Sequence, residues 1–394
     1  MSNILPFVTI QCDWIDFIRL PHKQIWISFK YVGRGSTHDI IKTVLDKTEG
    51  KIQVVCPDSF QYISQSNLSL VLKHLSSGLK VAFVAPTKTH TIHKHGILSV
   101  SCGENALAAT SCEGDKLLVW DTRTDEVLLD LKGHGGPVYK CRLFPSNIVL
   151  ISAGADGSSK IWSAESGINP VTLVGHKMSL TDISIIEKGR NVITVSKDGS
   201  AKLWDVGESR CIANVIEGHG IINCCTIATT IEEVSVSDNR EIGTGNKLLI
   251  VGCESGLIVC AHIAKRNERY QKALDSAVNV CIIIDSIIVA GCSNGKIFFM
   301  KLQDGSIVKE LYESASPVLS LATLTNQMFV VGRQDGTCTV LSLQETHTAI
   351  RVQLTGSDCD GIRDIAFNGK WILTACRDRN IRKYDYNQVT VHFK

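Results

Sequence analysis

The sequence is poor in aromatic residues, in proline and in net charge, and it has no long apolar run. Aromatics are 6% of the 394 residues. That scarcity argues against a stacking platform for single-stranded nucleic acid. The formal net charge of +2 is too weak a field to drive nonspecific binding to nucleic acid or a membrane surface, so a charged partner must be met by a local patch. A membrane helix needs about 18 consecutive apolar residues; the best stretch, VNVCIIIDSIIVAG, is cut by Asp285. The first residues, MSNILPFVTIQCDWIDF, lack the basic start, apolar core and small-residue cleavage site of a secretory signal. The 15 cysteines are odd in number and include no CxxC pair. They read as reduced thiols of a cytoplasmic or nuclear protein, several acting as small apolar residues (Cys141, Cys225, Cys281). The sequon at Asn67 has meaning only in a secreted chain and is set aside.

What is present is a repeat. VITVSKDGSAKLWD alternates apolar and polar residues, turns at Asp198-Gly199 and ends on Trp204-Asp205. The same frame holds Asp156-Gly157 with Trp162, and Gly114-Asp115 with Trp120, so the tryptophans fall 42 residues apart. Four further copies turn at Ser255-Gly256, Asn294-Gly295, Asp335-Gly336 and Asp378-Arg379. They place Ala261, Met300, Leu341 and Tyr384 where the tryptophan stood, at gaps of 57, 39, 41 and 43. Upstream, Gly133-His134, Gly175-His176, Gly218-His219 and a lone His95 each precede a strand-like run. Each unit reads as a histidine turn, two strands, an Asp-Gly turn, a strand ending in tryptophan, and a last strand. Seven such units predict an all-β, seven-bladed WD-repeat β-propeller, whose closure leaves no open sheet edge in the ring.

WD-repeat blades join histidine, hydroxyl, turn aspartate and tryptophan in one buried hydrogen-bonded set, which fixes the turn. The frame assigns His134, Ser152, Asp156 and Trp162 to one set, and His176, Ser196, Asp198 and Trp204 to the next. Serine, histidine and aspartate together suggest hydrolase chemistry, but a nucleophile must be exposed beside an oxyanion hole, whereas this arrangement buries the hydroxyl. The units that lost their tryptophan (Ala261, Met300, Leu341) are expected to form the weaker side of the ring.

Residues 1–79 lack the frame. Strand-like pieces (QIWISFKYV, KIQVVC) precede SNLSLVLKHLSSGL, where Leu68, Leu72 and Leu75 fall at helical spacing behind Ser66 as a cap. Two readings stand: a small N-terminal α/β domain followed by a propeller over 80–394, or a decorated first blade. The outer strand of the last unit comes from 80–92 or from NQVTVHFK. The gap of 57 holds an insertion of about fifteen residues, 230–246 at its widest, between the first two strands of the fourth unit. It reads as a mobile surface loop, with a contact element as the alternative; GTGNK lacks the spacing of a phosphate loop.

His90, His93 and His95 could in principle bind zinc, but no cysteine sits at finger spacing. Cys260 and His262 share a strand face without a third group to orient the histidine, so core packing is the better reading. No carboxylate pair, phosphate cradle or haem motif occurs, and neither an enzyme, a metal nor a cofactor is expected. Binding is the expected role. The residues beside the rim turns are Glu113, Lys177, Lys197, Arg333, Gln334, Asp358, Asp360, Arg377 and Arg379, a ring of mixed sign suited to a charged protein surface.

Several stretches carry a more specific likeness: GHKMSLTDISIIEKGRNVITVSKDGSAKLWDVGESRCI (175–212), REIGT (240–244), SPVLSL (316–321), LTGSDCD (354–360) and ACRDRNIRKYDY (375–386). From about residue 90 to 386 they resemble, in order, the proteasomal ATPase-associated factors, WD-repeat assembly chaperones of the 26S proteasome. The resemblance implies a non-catalytic, monomeric protein that holds the C-terminal domain of an ATPase subunit of the 19S regulatory particle base and delays docking on the 20S core. It implies no nucleic-acid or membrane partner. Contact residues are not carried over from the family; the rim assignment is geometric. The competing reading is a substrate receptor of a cullin-RING ubiquitin ligase, for which Trp120-Asp121-x-Arg123 is the short pattern.

Overall fold

A computed structural model describes residues 3–46, 50–236, 238–343 and 350–393. The dominant pattern is an antiparallel meander of four strands, repeated around a ring. The first blade spans Ile97–Asp130, the second Val138–Val174, the third Leu180–Ile216, the fourth Ile222–Ala273, the fifth Val278–Tyr312, the sixth Val318–Leu354 and the seventh Ile362–Asp385. Their innermost strands neighbour one another in sequence order, and that of the seventh blade lies beside that of the first. The second strands are the most buried: Asn191–Ser196 is covered at every residue. The first strands are less covered, as in Leu180–Ile186, where four of seven residues are half-buried, because one face lines the central channel.

The ring is closed by Lys88–His90, which pairs antiparallel with Ile381–Asp385 as the outer strand of the seventh blade. The competing C-terminal segment forms a short helix, Tyr386–Thr390, and a 3-10 turn, Val391–Phe393. Asp385 caps that helix by accepting a hydrogen bond from the Asn387 backbone at 2.9 Å.

The N-terminal part differs from the α/β expectation. Its sheet runs Phe7–Ile10, Gln24–Lys30, Thr37–Leu45, Ile52–Val55, and its helix, Trp14–Phe17, is a single turn. The leucine stretch is not helical. Ser69–His74 is a strand, paired on one side with Phe60–Gln65 and on the other with Lys80–Val84. Leu70 and Leu72 face the N-terminal sheet, while Val71 joins the cluster on the opposite face with Ile372, Tyr384 and Val389 of the seventh blade and the C-terminal helix. A strand covered on both sides reads as a continuous apolar run; of the three leucines at helical spacing only Leu72 lies within it, and Leu75 beyond its end is exposed. Ser66 caps the hairpin instead, accepting from the Ser69 backbone at 3.1 Å.

Lys80–Val84 also pairs in parallel with Arg351–Leu354, so the sixth blade continues into three N-terminal strands as one seven-stranded sheet. A boundary at residue 79 would cut through it. Trp14 Nε1 donates to Thr355 Oγ1 at 2.9 Å across the junction. The insertion in the fourth blade is tied down rather than loose. Asn191 donates to Arg240 O at 3.0 Å and accepts from the Ile242 backbone at 2.7 Å, and Arg266 pairs with Glu241.

Candidate binding rim

The turns between second and third strands stand at one end of the ring, and the tryptophan networks hold them. In the second blade, Trp162 Nε1 donates to Ser152 Oγ at 2.8 Å, Ser152 Oγ lies 2.7 Å from His134 Nε2, and His134 Nδ1 lies 3.0 Å from Asp156. An indole N–H only donates. Ser152 therefore accepts from it and passes its own hydrogen to the imidazole, which leaves Nδ1–H to meet the carboxylate. Burial alone would raise the Asp156 carboxyl, but the N–H groups of Gly135 and Ser158 and the Ser158 hydroxyl hold it down at about 2. Burial pushes His134 below its usual value, which keeps it neutral. Gly157 follows Asp156 at φ +76, where a side chain would be strained.

The third blade repeats this network with a correction. The hydroxyl is Thr194, not Ser196: Trp204 Nε1 donates to Thr194 Oγ1 at 2.8 Å, and His176 Nε2 lies 2.9 Å from it. Ser196 donates instead to Met178 O and Ser179 O. The sequence carried the signal, since Ser152 and Thr194 each stand four residues before their aspartate. His176 Nδ1 meets Asp198 at 2.9 Å. Burial tends to raise Asp198 too, but the Ser200 hydroxyl and the Lys177 N–H hold it at about 2.

The first blade holds a remnant. His93, not His95, reaches the hydroxyl, at 2.8 Å from Thr110 Oγ1. Gly114 stands where the aspartate would be. Among the described residues the buried Trp120 Nε1 and His93 Nδ1 have no partner. His219 points elsewhere and meets Glu268 at 2.5 Å.

The rim residues do not form one set. Glu113, Lys177, Lys197, Gln334, Asp358, Arg377 and Arg379 are exposed, and Asp360 is half-buried. Lys197 lies over the Tyr139 ring, 5.8 Å from its centre. Arg333 is fully buried and cannot be a rim contact. It ends the second strand of the sixth blade, the place taken by Cys112, Cys253, Cys292 and Cys376 in other blades. There Arg333 Nη2 meets the buried Glu313 at 3.3 Å, and Arg351 pairs with the same carboxylate. Gln334 and Arg377 come together with Leu98, Leu319, Gly361 and Arg363 around a depression of about 340 Å³ at the channel mouth. Arg363, absent from the sequence-based set, pairs with Glu113 at 2.8 Å. Arg379 sits at φ +72 in the place of the turn glycine. A left-handed arginine costs on the order of 1–3 kcal/mol.

Other candidates stay in the scaffold. Cys260 and His262 are buried, and no metal-holding group of His, Cys, Asp and Glu occurs among the described residues. No helix among them is long and apolar enough to cross a membrane.

Four-stranded meanders in a closed ring, with Trp-anchored turns on one face, define a WD-repeat β-propeller. The family model "WD domain, G-beta repeat" matches residues 125–163, 169–205 and 348–385. Proteasomal ATPase-associated factor 1 of Gallus gallus is 30% identical over 386 residues, covering 95% of this chain and 97% of its own. The Homo sapiens protein of the same name is 28% identical, covering 96% and 98%. The 26S proteasome regulatory subunit RPN14 of Saccharomyces cerevisiae is 36% identical over 149 residues, 36% of each chain. The chain belongs to the family of proteasomal ATPase-associated factor 1.

Proposed function

We propose that this chain is a non-catalytic chaperone for assembly of the proteasome regulatory particle base. It binds the C-terminal domain of one proteasomal ATPase subunit through the rim and so blocks premature docking on the 20S core. The observation that carries this reading is similarity to proteasomal ATPase-associated factor 1 along nearly the whole of both chains. The mechanism is steric. A rigid disc covering a standard interface area excludes any second partner that needs the same surface. On the rim, Gln334, Arg363 and Arg377 around the mouth, with Lys177, Lys197 and Arg379 beyond it, supply groups for a charged protein surface. Asp358 and Asp360 add the opposite sign. The cullin-ligase reading gains no support from the site: Arg123 is folded back on Asp121, donating through Nε at 3.1 Å within a local turn.

Calorimetry of the purified chain against each isolated ATPase C-terminal domain tests the proposal, with Arg377→Ala/Arg379→Ala alongside. Tight binding of one domain, weakened tenfold or more in the variant, is the expected result. Binding that the variant leaves unchanged keeps the function and moves the site. Binding of none removes the function, and Arg123→Ala is then tested against ligase adaptors.

A further inference from the structure

The N-terminal sheet buries one face and leaves the other open. Inward, Ile25, Ile27 and Ile41 pack on Leu70, Leu72 and Phe83. Outward, Trp26 stands directly opposite Ile40, and Lys42 opposite Val55. Trp26, Ile40 and Val55 are each 45% exposed, and Val44 is 41% exposed. Large apolar side chains at cross-strand and next-but-one positions form one patch, not scattered singles, and such patches mark interaction surfaces. Its strands present positive charge, and the carboxylate of Asp46, just past the third strand, accepts from Gln53 opposite Val44 at 2.7 Å at the patch's edge. In these four strands the outward charged residues are Lys30 and Lys42. The only carboxylate within them, Asp39, accepts from Ser59 Oγ at 2.6 Å. The patch continues to the rim: Trp26 and Lys30 line a groove of about 150 Å³ together with Asp335 and Asp358 of the sixth-blade turns.

We propose that this face is a second docking surface for the partner protein that covers the rim, which rests on the function proposed above. The occupant is a protein segment with apolar side chains over Trp26, Ile40 and Val55, carboxylates beside Lys42, and a basic residue where the groove meets Asp335 and Asp358. The N-terminal strands thereby extend the rim into an L-shaped seat, with an aromatic anchor of the type that dominates binding energy.

Two arms test it on the full chain. In the first, tryptophan fluorescence is titrated with two synthetic peptides sharing the same apolar residues, one with glutamates at its charged positions and one with lysines. The glutamate peptide gives a saturable blue shift that Trp26→Phe and Lys42→Glu remove. Equal responses to both peptides, no response, or one that survives Trp26→Phe overturns the proposal. In the second, Trp26→Ser/Ile40→Ser, both at exposed positions, lowers affinity for the cognate ATPase domain about tenfold or more with unchanged thermal stability. Undiminished affinity sinks the face while the chaperone function stands. If the wild-type chain binds no ATPase domain, that function falls and the peptide arm alone decides the face. Self-association in sedimentation that the double variant abolishes would assign the face to a second copy and overturn the proposal.

Discussion

The second and third blades and the fourth to sixth blades solve one problem in opposite ways. Each must fill the same slot between the second and third strands. In the second and third it holds Ser152 with Trp162 and Thr194 with Trp204, tied through histidine to an aspartate. Register puts Val251 and Ala261 in that slot of the fourth blade, Ala290 and Met300 in the fifth, and Val331 and Leu341 in the sixth. All six are fully buried. Hydroxyl and indole have been lost together, so no donor or acceptor is stranded, and an exchange of both partners for apolar groups is close to neutral. The expectation that these blades form the weaker side rested on the lost tryptophan alone. The paired replacement argues for comparable stability. The first blade is caught between: it keeps Thr110 and Trp120 without the aspartate.

The comparison is broken most severely at the boundary of the apolar blades. Glu313→Ala leaves the fully buried Arg333 without its carboxylate, and the expected loss is about 3–5 kcal/mol. It should appear in hydrogen exchange as opening centred on residues 307–354. Next comes Thr194→Val, which preserves shape and strands both the Trp204 N–H and His176. A loss of about 2–3 kcal/mol is expected in denaturant unfolding, against about 1–2 for Ser196→Ala, which removes local turn hydrogen bonds and leaves Trp204 and His176 paired; the reverse order would restore Ser196 to the network.

Acid sharpens the contrast further. Asp156 and Asp198 titrate lower in the folded chain than in the unfolded one, so their contribution is present above the ordinary carboxylate value, near 4, and is lost as pH falls toward 2. Each is worth about 2 kcal/mol. His134 and His176 are also depressed, by burial, so their contribution fades as pH drops below about 6.5, in the same direction. Between pH 7 and 4, protection (exchange corrected for its intrinsic slowing at low pH) should therefore fall in residues 138–216 before 278–342, a stretch of the fifth and sixth blades that holds no histidine; simultaneous loss would contradict the contrast. The smallest effect separates Trp204→Phe from Trp120→Phe. Both remove ring volume, but only the first removes a made hydrogen bond, so it should cost about 1 kcal/mol more in thermal unfolding.

The repeat was legible because it is written in local chemistry. A turn that needs Gly157 at positive φ and a strand that ends on Trp162 recur wherever the backbone does the same thing. One residue the frame overlooked and one it misassigned also follow its spacing. Thr194 shares the four-residue offset of Ser152 from the turn aspartate, and Arg333 shares the strand-end place of four buried cysteines. His93 was harder, since the first blade is one residue out of step with the others.

Sequence alone determined the ring: its period, its turns, the full polar set that locks one of them and three members of the next, and the family likeness carried by stretches such as ACRDRNIRKYDY. Those features depend on residues close along the chain, where spacing dictates which side chains share a face. Tertiary structure decided what joins distant segments. It set Lys88–His90 as the closing strand, grafted Ser69–His74 and Lys80–Val84 onto the sixth blade, and paired Arg333 with Glu313. It also left Trp26 facing outward. A strand's partner is chosen by the packing of the whole core, and two segments hundreds of residues apart leave no period between them to read.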